Sequence, residues 1–113
     1  MKKTLKKNKS YLWIYVTHGN KKKALAMSRI LIGEKLVACV NLLDKVTSIY
    51  LWKGKLVEDK EVILIMKTRE KLYQKLRDRI SQLHSYSCPC IIALSISKGN
   101  KDYLSWISKQ TTI

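Results

Sequence analysis

The chain has 113 residues, 46% of them hydrophobic, and a formal net charge of +15 from 23 Lys and Arg against 8 Asp and Glu. That length predicts one domain with its own core, and that apolar share excludes wholesale disorder. Only 4 glycines exclude glycine-rich phosphate cradles, and 3 cysteines, an odd number, suit a reducing compartment better than a disulfide framework.

Residues 1–10 read as a basic flexible tail and residues 11–113 as a single domain. Eight basic residues and no acid fall in the first 23 positions. The start Met1-Lys2-Lys3 mimics a secretory leader, but the apolar stretch Tyr11 to Val16 is only six residues long. Lys21-Lys22-Lys23 then stands where a cleavage region should be small and neutral. No run approaches the ~20 apolar residues of a membrane-spanning helix. The expectation is a cytoplasmic protein with no membrane partner. A nucleic-acid partner would use the positive charge, but the lysines are scattered and Arg is scarce, which favours a solvated surface.

Tyr11 to Thr17 predicts a first strand, rich in aromatic and β-branched residues. His18-Gly19-Asn20 predicts a turn with His18 solvated and Asn20 capping a helix. That helix runs from about Lys21 to Lys35, with Ala24, Met27 and Leu31 on one face. Its lysine start is unfavourable to the helix dipole. Leu36 to Trp52 predicts an extended arm bent near Leu43-Asp44-Lys45. Lys53-Gly54-Lys55 supplies a turn, and Leu56 to Lys67 returns antiparallel. Thr68 is expected to cap a helix from Arg69 to His84, whose apolar Leu72, Leu76, Ile80 and Leu83 share a face. Ser85 to Pro89 is a loop, Cys90 to Ser97 a final strand, and Tyr103, Leu104 and Ile107 the inner face of a last helix.

The order β-α-β-β-α-β-α contains the split, ferredoxin-like pattern plus a C-terminal helix, and predicts an α+β domain with an antiparallel sheet. Two helices cover one sheet face. The other is left apolar and uncovered, which predicts self-association.

His84, Cys88 and Cys90 form the most suggestive constellation. Thiolate and imidazole are natural ligands for Cu(I) and Zn(II). Pro89 biases Cys88 to an extended conformation, so Cys88 and Cys90 would share a face. Cysteine is also a common buried small hydrophobe, so a structural role competes. Glu58, Asp59 and Glu61 form the acidic cluster, read as a solvated hairpin arm. No nucleophile elbow or phosphate loop is present.

Ala38-Cys39-Val40-Asn41, then Ser48-Ile49-Tyr50-Leu51-Trp52-Lys53-Gly54-Lys55, then Lys67-Thr68 and Tyr103-Leu104-Ser105-Trp106-Ile107, closely resemble the CutA family of divalent-cation tolerance proteins. The resemblance runs from about Tyr11 to Thr111. It implies a ferredoxin-like protomer in a homotrimer, similar in assembly to PII signalling proteins. It also implies a link to tolerance of divalent cations, copper especially, and no known reaction, so an enzyme is not expected. The family loop reads histidine-proline-tyrosine-glutamate-valine-proline-glutamate-isoleucine. Here it is His84-Ser85-Tyr86-Ser87-Cys88-Pro89-Cys90-Ile91, and both acidic positions are lost, to Ser87 and Cys90. The resemblance implies a metal site at the Cys39 and His84 positions and one or both of the loop glutamates. The expected ligands are therefore Cys39, His84 and Cys90, with no required cofactor and Cu or Zn as the ion.

Two other classes compete. One is a non-catalytic, PII-like trimeric signalling scaffold. The other is a basic nucleic-acid-binding module, against which the absence of aromatics in Val62 to Met66 counts. An acylphosphatase-like enzyme lacks its phosphate-cradling loop.

Overall fold

The computed structural model describes residues 11–112, so the expected tail lies outside the described residues. The strands are β1 (Tyr11–His18), β2 (Cys39–Trp52), β3 (Lys55–Arg69) and β4 (Ile91–Ser95). The helices are α1 (Lys21–Gly33), α2 (Tyr73–Leu83) and α3 (Lys101–Gln110). The four strands form one antiparallel sheet in the order β2-β3-β1-β4. β2 and β4 are therefore its two edges.

Alternation decides the faces. Leu12, Ile14 and Val16 of β1 and Val62, Leu64 and Met66 of β3 point to one side and are buried. Ala24, Met27 and Leu31 of α1 and Leu76 and Ile80 of α2 close over them to make the core. Each fully buried aliphatic side chain contributes roughly 1.5–3 kcal/mol. α1 starts where Asn20 Oδ1 accepts from the Lys23 N–H at 2.9 Å. It ends at Gly33, two residues short of expectation, and Lys35 takes φ 60° as the chain turns into β2.

The expected bend in β2 is a register shift between Leu43 and Val46, with Lys45 at φ 59°. The hairpin closes on two residues, Lys53 and Gly54, at φ 51° and 80°. Positive φ at both matches the turn type whose twist suits a tight hairpin.

Thr68 does not cap the second helix. It is fully buried in β3, and its Oγ1 donates to the Leu36 carbonyl at 2.7 Å. The long-range partner wins because an unpaired buried carbonyl is costly. The helix instead opens through a 3-10 turn at Glu70–Leu72 with no side-chain cap.

His18 is not a solvated turn residue either. It ends β1 on the buried side and is 1% exposed. Glu61 also departs from the solvated arm expected of it, since it is buried at the base of the β2–β3 ribbon.

The outer sheet face carries Trp13, Tyr15, Ile63, Ile65, Leu43, Ile92 and Leu94. α3 covers one end of it. Tyr11 Oη lies 2.6 Å from Ser108 Oγ, and Arg69 donates to Thr111 Oγ1 and to its carbonyl. The remainder is open, with Ile92 50% and Leu94 55% exposed. Among the described residues no helix is long and apolar enough to cross a membrane.

Candidate functional site

The richest collection of polar chemistry gathers where β1 ends, β4 begins and the loop after α2 passes between them. Alternation along β1 carries His18 to the helix side and leaves Thr17 on the outer side. His84, the residue that stops α2, is buried, and its Nε2–H donates to the Thr17 carbonyl at 2.7 Å. Its Nδ1 accepts from the Tyr86 N–H at 3.0 Å. Both ring nitrogens of His84 are therefore occupied. Tyr86 reaches across to donate from its hydroxyl to Glu61 Oε2 at 2.8 Å. Burial, followed by that carboxylate, pushes the Tyr86 phenol up to about 12.

Gly19 makes this approach possible. A Cβ there would lie 2.6 Å from the Tyr86 hydroxyl oxygen. Cys90 stands at the entrance to β4, half-buried. Burial, then the Glu61 charge, pushes its thiol up, while a hydrogen bond with Thr17 partly offsets this. Cys88 is exposed, two residues earlier on the same loop.

Cys39 is elsewhere. It starts β2 on the outer face, with its Sγ 3.5 Å from the Tyr103 hydroxyl of α3. That contact first, and burial second, pushes the Tyr103 phenol up to about 12. Strand order separates Cys39 from Cys90. Cys39 shares its row with Lys67, Trp13 and Leu94, whereas Cys90 flanks Thr17, four positions along β1. Those four positions span ~13 Å, and edge-to-edge spacing of four strands adds ~14 Å across the sheet. Of the three expected ligands, the fold brings His84 and Cys90 to the same end of the sheet and leaves Cys39 at the opposite edge. Among the described residues no group of three His, Cys, Asp or Glu side chains is arranged to hold a metal ion.

His18 and Glu61 belong to this cluster, although the sequence pattern points to a solvated turn for the first and a solvated hairpin arm for the second. Continuing the β1 alternation by one more residue would have placed His18 in the buried row. Nothing local marks Glu61, whose partner Tyr86 is 25 residues away.

An open groove of about 380 Å³ lies beside Glu61, lined by Gly19, Lys21, Asp44, Lys45, Lys60 and Val62. Lys21 pairs with Asp44 at 3.3 Å, so the lysines here are partly compensated.

Residues 12–110 match the family model described as CutA1 divalent ion tolerance protein. The divalent-cation tolerance protein CutA of Thermus thermophilus is 40% identical over 98 residues, covering 87% of this chain and 95% of that protein. The human protein CutA is 41% identical over 97 residues, but the matched part spans only 54% of its length. The crystal structure of CutA1 from Oryza sativa superposes with a TM-score of 0.89 at 40% identity, covering 91% of this chain and 94% of that one. With the sheet, the three helices and this match along nearly all of the described residues, the chain belongs to the CutA1 divalent ion tolerance family.

Proposed function

We propose that this chain is a cytoplasmic, homotrimeric protein of ferredoxin-like topology. It serves tolerance of divalent cations, copper among them, by binding a metal ion near the β4 edge. The observation that carries the metal reading is the position of Cys90. A half-buried thiol stands beside Glu61 and Thr17, in a cluster where His84, Tyr86 and Glu61 are already hydrogen-bonded. Of the other expected ligands, His84 would have to surrender a hydrogen bond to coordinate. Cys39 can reach Cys90 only from another subunit.

A trimer supplies that route. β2 and β4 are both free edges, and a cyclic assembly joins unlike edges of neighbouring copies. The open outer face, with Ile92 and Leu94 exposed, is the apolar surface such an assembly would bury. Light scattering at micromolar concentration should return three times the protomer mass of 13.1 kDa. A monomeric mass rejects the assembly.

The metal reading is tested by titrating reduced protein with Cu(I), Zn(II) and Mg(II). Thiolate chemistry predicts binding of the first two and not the third. Cys90→Ser should weaken Cu(I) binding, and Ser87→Ala should leave it intact. Failure of the parent protein to bind Cu(I) or Zn(II) would move the PII-like signalling scaffold ahead, because that reading needs the apolar outer face and no metal ligand.

A further inference from the structure

We propose that Cys88 and Cys90 together form a two-thiolate site for Cu(I) within a single chain, on the loop that leads into β4. The inference rests on the metal-binding reading and takes as the second ligand Cys88, which the resemblance to the family does not include.

The geometry narrows the choice of that ligand. His84 lies nearby, but Thr17 and the Tyr86 N–H hold its two ring nitrogens. Cys39 of the same chain is at the far edge of the sheet and would have to come from a neighbouring copy. Cys88 is two residues from Cys90, free and exposed. Pro89 stands between the two thiols. Its fixed φ and the extended bias it imposes on Cys88 remove much of the freedom the pair would otherwise lose on closing around an ion. The chain bends at Cys88 ahead of β4, and whatever the bend, Cα atoms two residues apart are at most about 7.6 Å apart. Two metal–sulfur bonds of ~2.3 Å each span ~4.6 Å, which two cysteine side chains leaning toward each other can meet.

The number of ligands then selects the metal. Structural Zn(II) takes four ligands, and among the described residues no third His, Cys, Asp or Glu side chain is arranged to join a site. Mg(II) and Ca(II) require several oxygens. Cu(I) is soft and is satisfied by two thiolates. Binding exchanges two thiol protons for one Cu(I), leaving a bis-thiolate of charge −1 and releasing two protons, with no change in oxidation state.

The test uses the whole chain, reduced and under nitrogen, with Cu(I) delivered from a bicinchoninate complex that competes for the ion. One equivalent of Cu(I) should protect Cys88 and Cys90 from iodoacetamide and leave Cys39 as reactive as before. Cys88→Ser and Cys90→Ser should each weaken binding by more than about 100-fold, since loss of mere outer-shell partners already costs 10- to 100-fold. The double variant should be no weaker than either single one, because a two-ligand site is lost with its first ligand. Cys39→Ser should bind like the parent. The alkylation pattern is read on the unaltered protein, so it does not depend on the variants folding. Cu(I) binding that survives Cys88→Ser and is lost in Cys39→Ser overturns the inference and leaves the metal reading standing. No Cu(I) binding by the parent overturns the inference, and if Zn(II) does not bind either, the metal reading falls with it.

Discussion

The imidazole rings of His18 and His84 stack with 4.3 Å between centroids and 25° between planes. Each ring accepts a backbone N–H at Nδ1, from Asn20 and Tyr86 respectively, so each carries its proton on Nε2. Nε2 of His84 donates to Thr17, whereas Nε2 of His18 is buried without a partner among the described residues. The pair is built for two neutral rings. A charge on either would face the other ring at stacking distance.

Stability should therefore fall in mild acid. Burial first, then His84 and Lys23, hold the His18 pKa below its ordinary 6.5, with Glu61 opposing. In the unfolded chain His18 titrates normally. Between the lowered folded value and ~6.5 the unfolded state binds more protons, so stability rises with pH across that window. The slope from this group reaches at most about 1.4 kcal/mol per pH unit. Urea unfolding with chelator present should show a lower midpoint at pH 5.5 than at pH 7.5. His18→Phe should shrink the difference, and an unchanged slope in that variant would assign it to other groups.

The Tyr86 hydroxyl and Gly19 should behave as one unit. Tyr86→Phe removes the donor to buried Glu61 and should cost about 1–2 kcal/mol. Gly19→Ala places a Cβ against the same hydroxyl and should swing the ring away, with a similar loss. The double variant should cost clearly less than the two losses added. Full additivity in chemical denaturation would show that Gly19 acts on something other than Tyr86.

Thr68→Val keeps the shape and deletes the donor to the Leu36 carbonyl. A cost of about 1–2 kcal/mol is expected, with Thr68→Ser retaining most of the stability. Thermal melts of the two variants decide this, and equal melting temperatures would mean that the hydroxyl is not needed there.

At the hairpin tip, Lys53→Asn should stabilise by about 0.5 kcal/mol, because Asn accepts positive φ more readily than Lys. Gly54→Ala should destabilise by about 1 kcal/mol, since φ 80° is strained for any residue with a Cβ. A melt showing no loss in Gly54→Ala would mean that the turn re-forms in another geometry.

Local pattern carried most of this fold. The period of two in β1, the apolar face of α1 and the Asn20 cap are all properties of neighbouring residues, and neighbours are what periodicity reads. Thr68 misled because a threonine ahead of a helical pattern satisfies the rule for caps, while its true acceptor, the Leu36 carbonyl, is 32 residues away. The faces of the sheet were legible, but the packing of α3 onto the outer one was not. A helical stripe such as Tyr103, Leu104 and Ile107 says that something is covered, not which side of a sheet. The candidate site was least legible. Strand order sends Cys39 and Cys90 to opposite edges, and tertiary approach alone joins Glu61 to Tyr86.

The β2–β3 ribbon has a further consequence. Beyond the His18–Val62 pair, β3 has no neighbour but β2 among the described residues, and the ribbon runs on to its tip as two strands. Leu51 and Leu56 are each 69% exposed there, and Trp52 is 59% exposed. Two strands without a third are marginal in water. If neighbouring copies cover the ribbon in the proposed trimer, amide exchange along Tyr50 to Val57 should slow as protein concentration rises, and the ribbon would then report how many copies are present.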